Sequence, residues 1–325
     1  MASLTGFLRS QLLVRLPLPT ASYAGKTVIV TGSNVGLGKE AARHFAALGA
    51  STLVLAVRSL AKGEAAKKDI LATTKRPADT IQVWQLDMGS YASVQAFAAR
   101  AAKELERIDV LLENAGIATN GYVQAEDNES TITINVVSTF LLALLMLPKL
   151  RESARKFGTR PTLSITASEV HHWTKFAERK APEGMIFETL NAKETANMAE
   201  RYMTSKLLEV FAVRELAEKS EGPVTVNCLN PGLCHSALTR DKGPAAWVLA
   251  VMKALIARST EVGSRTLLNA AGYGPESHGK YISDCKIEEP SAFVRSAEGK
   301  KTQARVWDEL MKKLEAISPG VTKNL

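Results

Sequence analysis

From Lys26 almost to the C terminus, short unbroken apolar runs alternate with stretches of helical periodicity. The runs Thr27–Val30, Thr52–Val57, Ile81–Leu86, Val110–Leu112, Thr162–Ile165 and Val224–Leu229, with a shorter one at Tyr281–Ile282, have strand length, are mostly apolar and carry no charged residue. Each therefore predicts a strand buried on both faces. Apolar residues at three- and four-residue spacing predict helices through about Leu48, from Leu60, over Ser90–Arg107, over about Ser130–Phe157 and across Tyr202–Lys219. Such strand–helix repetition predicts an α/β fold with one doubly wound, mainly parallel sheet of about seven strands and helices on both faces. No linker-like stretch and no internal repeat divides residues 25–325, so they are expected to form a single domain.

Residues 1–24 lie outside this pattern. Leu4, Phe7, Leu8, Leu12 and Leu16 fall close to helical spacing around Arg9 and Arg15, with Pro17 and Pro19 ending the stretch. One reading is an amphipathic helix packed on the body. The other is a mitochondrial transit peptide or a peripheral membrane contact made by the basic N terminus. The runs Phe140–Leu147 and Ala245–Ala257 are too short to cross a bilayer, so no integral membrane span is expected. A chain of 325 residues, 46% hydrophobic and 23% charged, can bury a large core without covalent staples. Cys228, Cys234 and Cys285 show neither CxxC spacing nor a His/Cys cluster, so no disulfide framework and no metal site is expected. A reducing, cytoplasmic compartment fits. The net charge of +8 is spread over surfaces where acids and bases interleave, which speaks against nucleic acid as a partner.

Candidate chemistry begins at Thr31-Gly32-Ser33-Asn34-Val35-Gly36-Leu37-Gly38, between the first strand and the first helix. Glycines there let the backbone turn tightly and approach a pyrophosphate, and the helix N terminus adds free N–H groups and a positive dipole end. A dinucleotide, and with it a Rossmann fold, is the expected consequence. After the second strand, where an acidic residue would bind a ribose 2′-hydroxyl, stand Val57 and Arg58, with Lys62 nearby. A cation favours a 2′-phosphate, hence NADP(H), although a solvated surface arginine is also consistent with the sequence. Tyr202 and Lys206 lie one helical turn apart on one face. They follow the strand ending in Thr166-Ala167-Ser168 and precede Asn230-Pro231-Gly232-Leu233.

Taken in order, TGSNVGLG at Thr31–Gly38, LD at Leu86–Asp87, ENAG at Glu113–Gly116, YMTSK at Tyr202–Lys206 and NPG at Asn230–Gly232 resemble the short-chain dehydrogenase/reductase family. Within it the chain is most similar to the retinol-dehydrogenase-like group of fungal carbonyl reductases. The motifs span nearly two thirds of the chain. The resemblance implies that Tyr202 donates a proton in carbonyl reduction and that Lys206 holds the nicotinamide ribose and lowers the phenol pKa. It further implies that Ser168 orients the substrate oxygen and that Asn135 fixes a water relaying protons to Lys206. Asp87 is implied near the adenine, Asn114, Ala115 and Gly116 along the cofactor, and Pro231, Gly232 and Leu233 at its far end.

Three departures stand out. Glu113 replaces the usual asparagine and is expected to face structure. Ala167-Ser168 replaces a Ser-Ser pair, with Thr166 as the fallback. A long insertion, residues 171–199 on the substrate side, holds His171, His172 and Trp173. In an extended segment the two histidines point to opposite sides, so a shared metal is not expected; loop packing and substrate contact stay open. Residues 233–258, with Leu238, Trp247, Val248, Met252 and Leu255, read either as a lid or as a packed or dimer-forming helix. The function implied is NADPH-dependent reduction of a ketone or aldehyde, or the reverse alcohol oxidation, on an apolar small molecule such as a secondary metabolite. A non-redox cyclase or dehydratase and a dinucleotide-sensing binding protein are the alternatives, and retention of Tyr202, Lys206 and Ser168 favours redox chemistry. Family habit is also compatible with a homo-oligomer.

Overall fold

The computed structural model describes residues 4–235 and 255–325. Its main strands are β1 (Thr27–Thr31), β2 (Thr52–Val57), β3 (Ile81–Gln85), β4 (Val110–Glu113), β7 (Thr162–Thr166), β8 (Thr225–Asn230), β9 (Tyr281–Ser283) and β10 (Lys286–Glu288); β5 (Gln124–Ala125) and β6 (Asn128–Glu129) form a separate small hairpin. The main sheet runs β10-β9-β8-β7-β4-β1-β2-β3. Every neighbouring pair is parallel except β9 and β10. From β1 the chain steps outward to β2 and β3, then returns to β4 on the other side of β1. This reversal opens a crevice at the carboxyl ends of the strands, where ligands of such sheets bind.

The unbroken apolar runs are explained by the two faces they serve. Ile29, Val54 and Leu111 point into a core shared with the helices Tyr91–Glu104, Ser130–Phe157 and Met198–Lys219. Val28, Val30, Leu53 and Leu55 point into a second core beneath the helices Gly36–Ala47 and Thr260–Gly272. A polar residue at any of these positions would forfeit about 1.5–3 kcal/mol of burial on one face or the other. The helix Ser130–Phe157 is long and apolar enough to cross a membrane, but its apolar window is almost wholly buried in the first core.

Several elements fall outside the pattern read from sequence, among them the core helix Thr260–Gly272 and the hairpin of β5 and β6. The edge strand β10 is fully exposed, so it carries no apolar run to betray it. The helix Ala297–Ile317 buries Val306, Trp307, Leu310 and Leu314 at helical spacing against the first core. Much of the insertion packs on this helix: Phe187 N–H donates to Glu309 at 3.0 Å, and Arg305 donates to the carbonyls of Ala181 and Pro182. Only the start of the insertion faces the crevice. The helix Leu4–Leu13 buries Phe7 and Gln11 against the body. Leu238, Trp247, Val248 and Met252 of the lid reading lie outside the described residues; at its near flank Leu255 is exposed and Arg258 buried.

Candidate active site

The crevice is a cavity of about 540 Å³ running from the Thr31–Gly38 loop to the helix Met198–Lys219. In the loop, Gly36 adopts φ +63° with open space where a Cβ would stand. A Cβ on Gly38 would collide with Asn114 Nδ2 and, at 2.6 Å, with the Gly32 carbonyl oxygen. The helix Gly36–Ala47 has no side-chain cap among the described residues, which leaves its first N–H donors without a capping side chain. These features fit an anionic group such as a pyrophosphate. Arg58 and Lys62 stand exposed at the rim and form no ion pair among the described residues. Asn34, Leu37, Asp87, Ala115, Gly116, Pro231, Gly232 and Leu233 also line the cavity, and Asp87 accepts the Gly89 N–H at 2.9 Å.

Four residues singled out by sequence stand behind the wall. Thr31 Oγ1 accepts the N–H groups of Asn114 and Ala115, both at 2.9 Å, and so ties the β4 loop to β1. Ser33 Oγ donates to the Val30 carbonyl at 2.9 Å. Gly38 supplies the close helix–loop approach. Asn135 lies on a π-helical stretch, Thr133–Ser138, a widened turn of the kind often found at functional sites. Its amide accepts from Ile117 N–H at 2.9 Å and donates to Ile117 O at 3.0 Å, as well as to Ser205 Oγ at 3.0 Å.

At the other end, Tyr202, Lys206 and Ser168 all border the cavity. Ser168 stands near enough to the Tyr202 hydroxyl to favour its ionised form. Thr166, the fallback residue, contributes its carbonyl to Lys206 Nζ at 2.8 Å, while its own hydroxyl is buried without a partner. Lys206 Nζ also donates to the Glu209 carboxylate, with Oε1 at 2.8 Å and Oε2 at 3.0 Å. Burial raises the Tyr202 phenol above its ordinary value, Lys206 and Ser168 pull it down, and Glu209 pushes it further up. The net direction is upward, so burial outweighs the lowering by Lys206. Burial also disfavours the Lys206 ammonium, but Glu209 and Tyr202 outweigh it and raise that pKa.

The insertion corrects one expectation. Glu169–His172 is a 3₁₀ turn and not an extended segment, so the rings of His171 and His172 lie side by side with centroids 4.1 Å apart. His171 Nε2 accepts the Ser291 N–H at 3.1 Å, which leaves Nδ1 to donate to the Ser168 carbonyl at 2.7 Å. Burial pushes this imidazole down to about 3, so it is a neutral brace for Ser168. Among the described residues no cluster of three or more His, Cys, Asp or Glu could hold a metal.

Sequence reasoning missed three features. Phe7, from the N-terminal helix, lines the cavity and meets Trp173 edge to face at 5.8 Å. No spacing relates two residues so far apart. Arg201, fully buried beside Tyr202, pairs with Glu129 at 3.7 Å and Glu178 at 3.3 Å and donates to the Leu190 carbonyl at 2.8 Å. It joins the helix bearing Tyr202 to the start of the helix bearing Asn135 and to the insertion. Glu209 was legible in principle, because a carboxylate one turn beyond Lys206 in an apolar helix segment needs a cation.

A family model described as short chain dehydrogenase matches residues 26–159. A short chain dehydrogenase/reductase of Cryptosporiopsis sp., dmxR8, is 58% identical over 324 residues, covering 98% of this chain and 99% of its own. The chain belongs to the short-chain dehydrogenase/reductase family. The short-chain dehydrogenase anuD of Penicillium roqueforti is 44% identical over 329 residues, covering 98% of this chain and 85% of its own. In fold, this short-chain dehydrogenase/reductase is similar to the oxidoreductase yciK of E. coli, with TM-score 0.61, 23% identity and coverage of 83% of this chain and 98% of that one. A short chain dehydrogenase of Shigella flexneri, complexed with NADP, gives TM-score 0.59 at 22% identity, covering 82% of this chain and 100% of that one. Family membership makes the protein an oxidoreductase of a group that binds nicotinamide dinucleotides.

Proposed function

We propose that the protein reduces a ketone or aldehyde on an apolar small molecule, such as a secondary metabolite, with NADPH as reductant, and that residues 25–325 act as one cytoplasmic domain. The reading rests on one observation: Tyr202, Ser168 and Lys206 border the same cavity that the glycine loop, Arg58 and Lys62 open at its other end. The Thr31–Gly38 loop would hold the pyrophosphate, Arg58 and Lys62 the 2′-phosphate, and Asp87, Asn114–Gly116 and Pro231–Leu233 the rest of the dinucleotide. Bound NADPH supplies the hydride for the carbonyl carbon. Ser168 holds the carbonyl oxygen, braced by His171, and Tyr202 gives that oxygen its proton. Lys206 orients the ribose, and Asn135 fixes the water through which Tyr202 regains a proton. In the reverse direction the phenolate takes the alcohol proton.

The test is NADPH oxidation across a panel of apolar ketones by wild type and Tyr202→Phe. General acid catalysis contributes about 10²–10⁴-fold. The variant should lose activity on that scale while still binding NADPH by fluorescence. Full turnover by Tyr202→Phe would overturn the assignment.

A further inference from the structure

Behind Lys206, away from the cavity, the helix Met198–Lys219 and β4 bring two buried carboxyl groups close together. Glu209, 2% exposed, grips Lys206 Nζ with both oxygens, at 2.8 and 3.0 Å. Glu113, 3% exposed, has no hydrogen-bond partner on either oxygen among the described residues. An isolated carboxylate in such a place is costly, so the group is held as the neutral acid. Burial and then the neighbouring Glu209 push Glu113 well above the usual carboxylate range. Burial also pushes Glu209 up, while its ion pair with Lys206 pulls it back towards the carboxylate. The ionisable groups facing Glu209 are Tyr202 and Lys206 from its own helix, Glu113 from β4 and Cys228 from β8. The helix Ser130–Phe157 presents the neutral Asn135 beside Lys206, both against the backbone of Gly116.

Lys206 therefore carries its own counter-ion. Lys206 Nζ lies within hydrogen-bond distance of Thr166 O and of both oxygens of the one Glu209 carboxylate, which together anchor the ammonium. Its positive charge, which alone would draw the proton off Tyr202, is largely cancelled by Glu209. Glu113, neutral, adds no second negative charge.

We propose that Glu209, backed by the neutral acid Glu113, is a positioning residue that pins Lys206 and offsets its charge, so that Tyr202 keeps the proton it must donate in carbonyl reduction. The role in turnover rests on the reading of Tyr202 as proton donor; the effect on the phenol does not. Reduction needs the phenol protonated and oxidation needs it ionised. The carboxylate thus suits the enzyme to reduction near neutral pH and moves alcohol oxidation to alkaline pH.

The experiment is a tyrosinate absorbance titration of the full chain, with the Tyr202 signal isolated by subtracting Tyr202→Phe in each background. In Glu209→Gln the Tyr202 step should move down by at least about one pH unit, a tenfold change in proton affinity. The pH profile of alcohol oxidation should follow by the same amount, and Glu209→Asp should restore much of the original profile. An unmoved phenol titration in a folded Glu209→Gln would overturn the proposal. Should that variant fail to fold, wild type and Glu113→Gln give an independent reading: the infrared band of a protonated carboxylic acid should be present in the first and reduced in the second, and its absence from wild type would overturn the pair. A shifted phenol together with full turnover in Tyr202→Phe would support the charge assignment and refute the ketoreductase reading instead.

Discussion

In the proposed cofactor half of the cavity, the lining is mostly local: the glycine-rich loop Thr31–Gly38 leads into a helix end with no side-chain cap, and the exposed cations Arg58 and Lys62 stand at the rim. The substrate half is assembled from the opposite ingredients. Phe7, Val170, Trp173 and Cys234 come from distant segments and present side chains. Long-range polar ties hold those segments together: Arg201 to Glu129, Glu178 and Leu190, and Arg258 to Ser10, Pro231 and Asp284. The difference teaches that such a scaffold can keep its dinucleotide chemistry while its substrate wall changes, because the two halves draw on separate parts of the chain.

The comparison is broken most severely at Arg201. Arg201→Met removes a fully buried cation and leaves Glu129 buried without it, which should cost about 3–5 kcal/mol. Urea unfolding would measure this, and a loss under 1 kcal/mol would mean that the tie does not hold the substrate half. Next in size is the pH dependence set by His171. Its imidazole is depressed to about 3 in the fold from an ordinary 6.5, so the unfolded chain binds a proton that the native state resists. Stability from this group is complete above pH 6.5 and falls as pH drops toward 3, by up to about 1.4 kcal/mol per unit. His171→Asn should flatten that limb of the melting temperature against pH. A smaller effect tests the cofactor half: Arg58→Asp should weaken NADPH at least about tenfold, or 1.4 kcal/mol, with little change for NADH. Equal losses for both would defeat the 2′-phosphate assignment. The least effect is expected at Phe7→Ala, which should raise KM for an apolar ketone a few-fold at unchanged kcat and unchanged NADPH affinity; a matching loss of NADPH affinity would show that the halves are not separate.

The same contrast explains what was readable from sequence. The strand runs were legible because both faces of the sheet are buried, so Val28, Ile29 and Val30 all had to be apolar. The loop Thr31–Gly38 was legible because its job is local and backbone geometry demands glycine at fixed places. Strand β10 was not, since its exposed residues carry no pattern. Phe7 and Arg201 were hidden for another reason: their meaning lies in partners brought near only by folding. His171 was visible but misjudged, because the local turn that stacks it on His172 leaves no periodic signature. Glu113 was noticed as a departure, yet its weight appears only once Glu209 stands beside it.

Gln11 and Arg258 hold the first helix in the cavity wall. The Gln11 carboxamide faces both the N–H and the carbonyl of Leu233 at 3.1 Å, and Arg258 reaches from the Ser10 carbonyl at 2.7 Å to the Pro231 carbonyl at 3.4 Å. The helix that carries Phe7 is thereby coupled to the Pro231–Leu233 segment along the proposed dinucleotide path. The earliest helix of the chain and a loop far along it thus close one chamber, each depending on the other for its place.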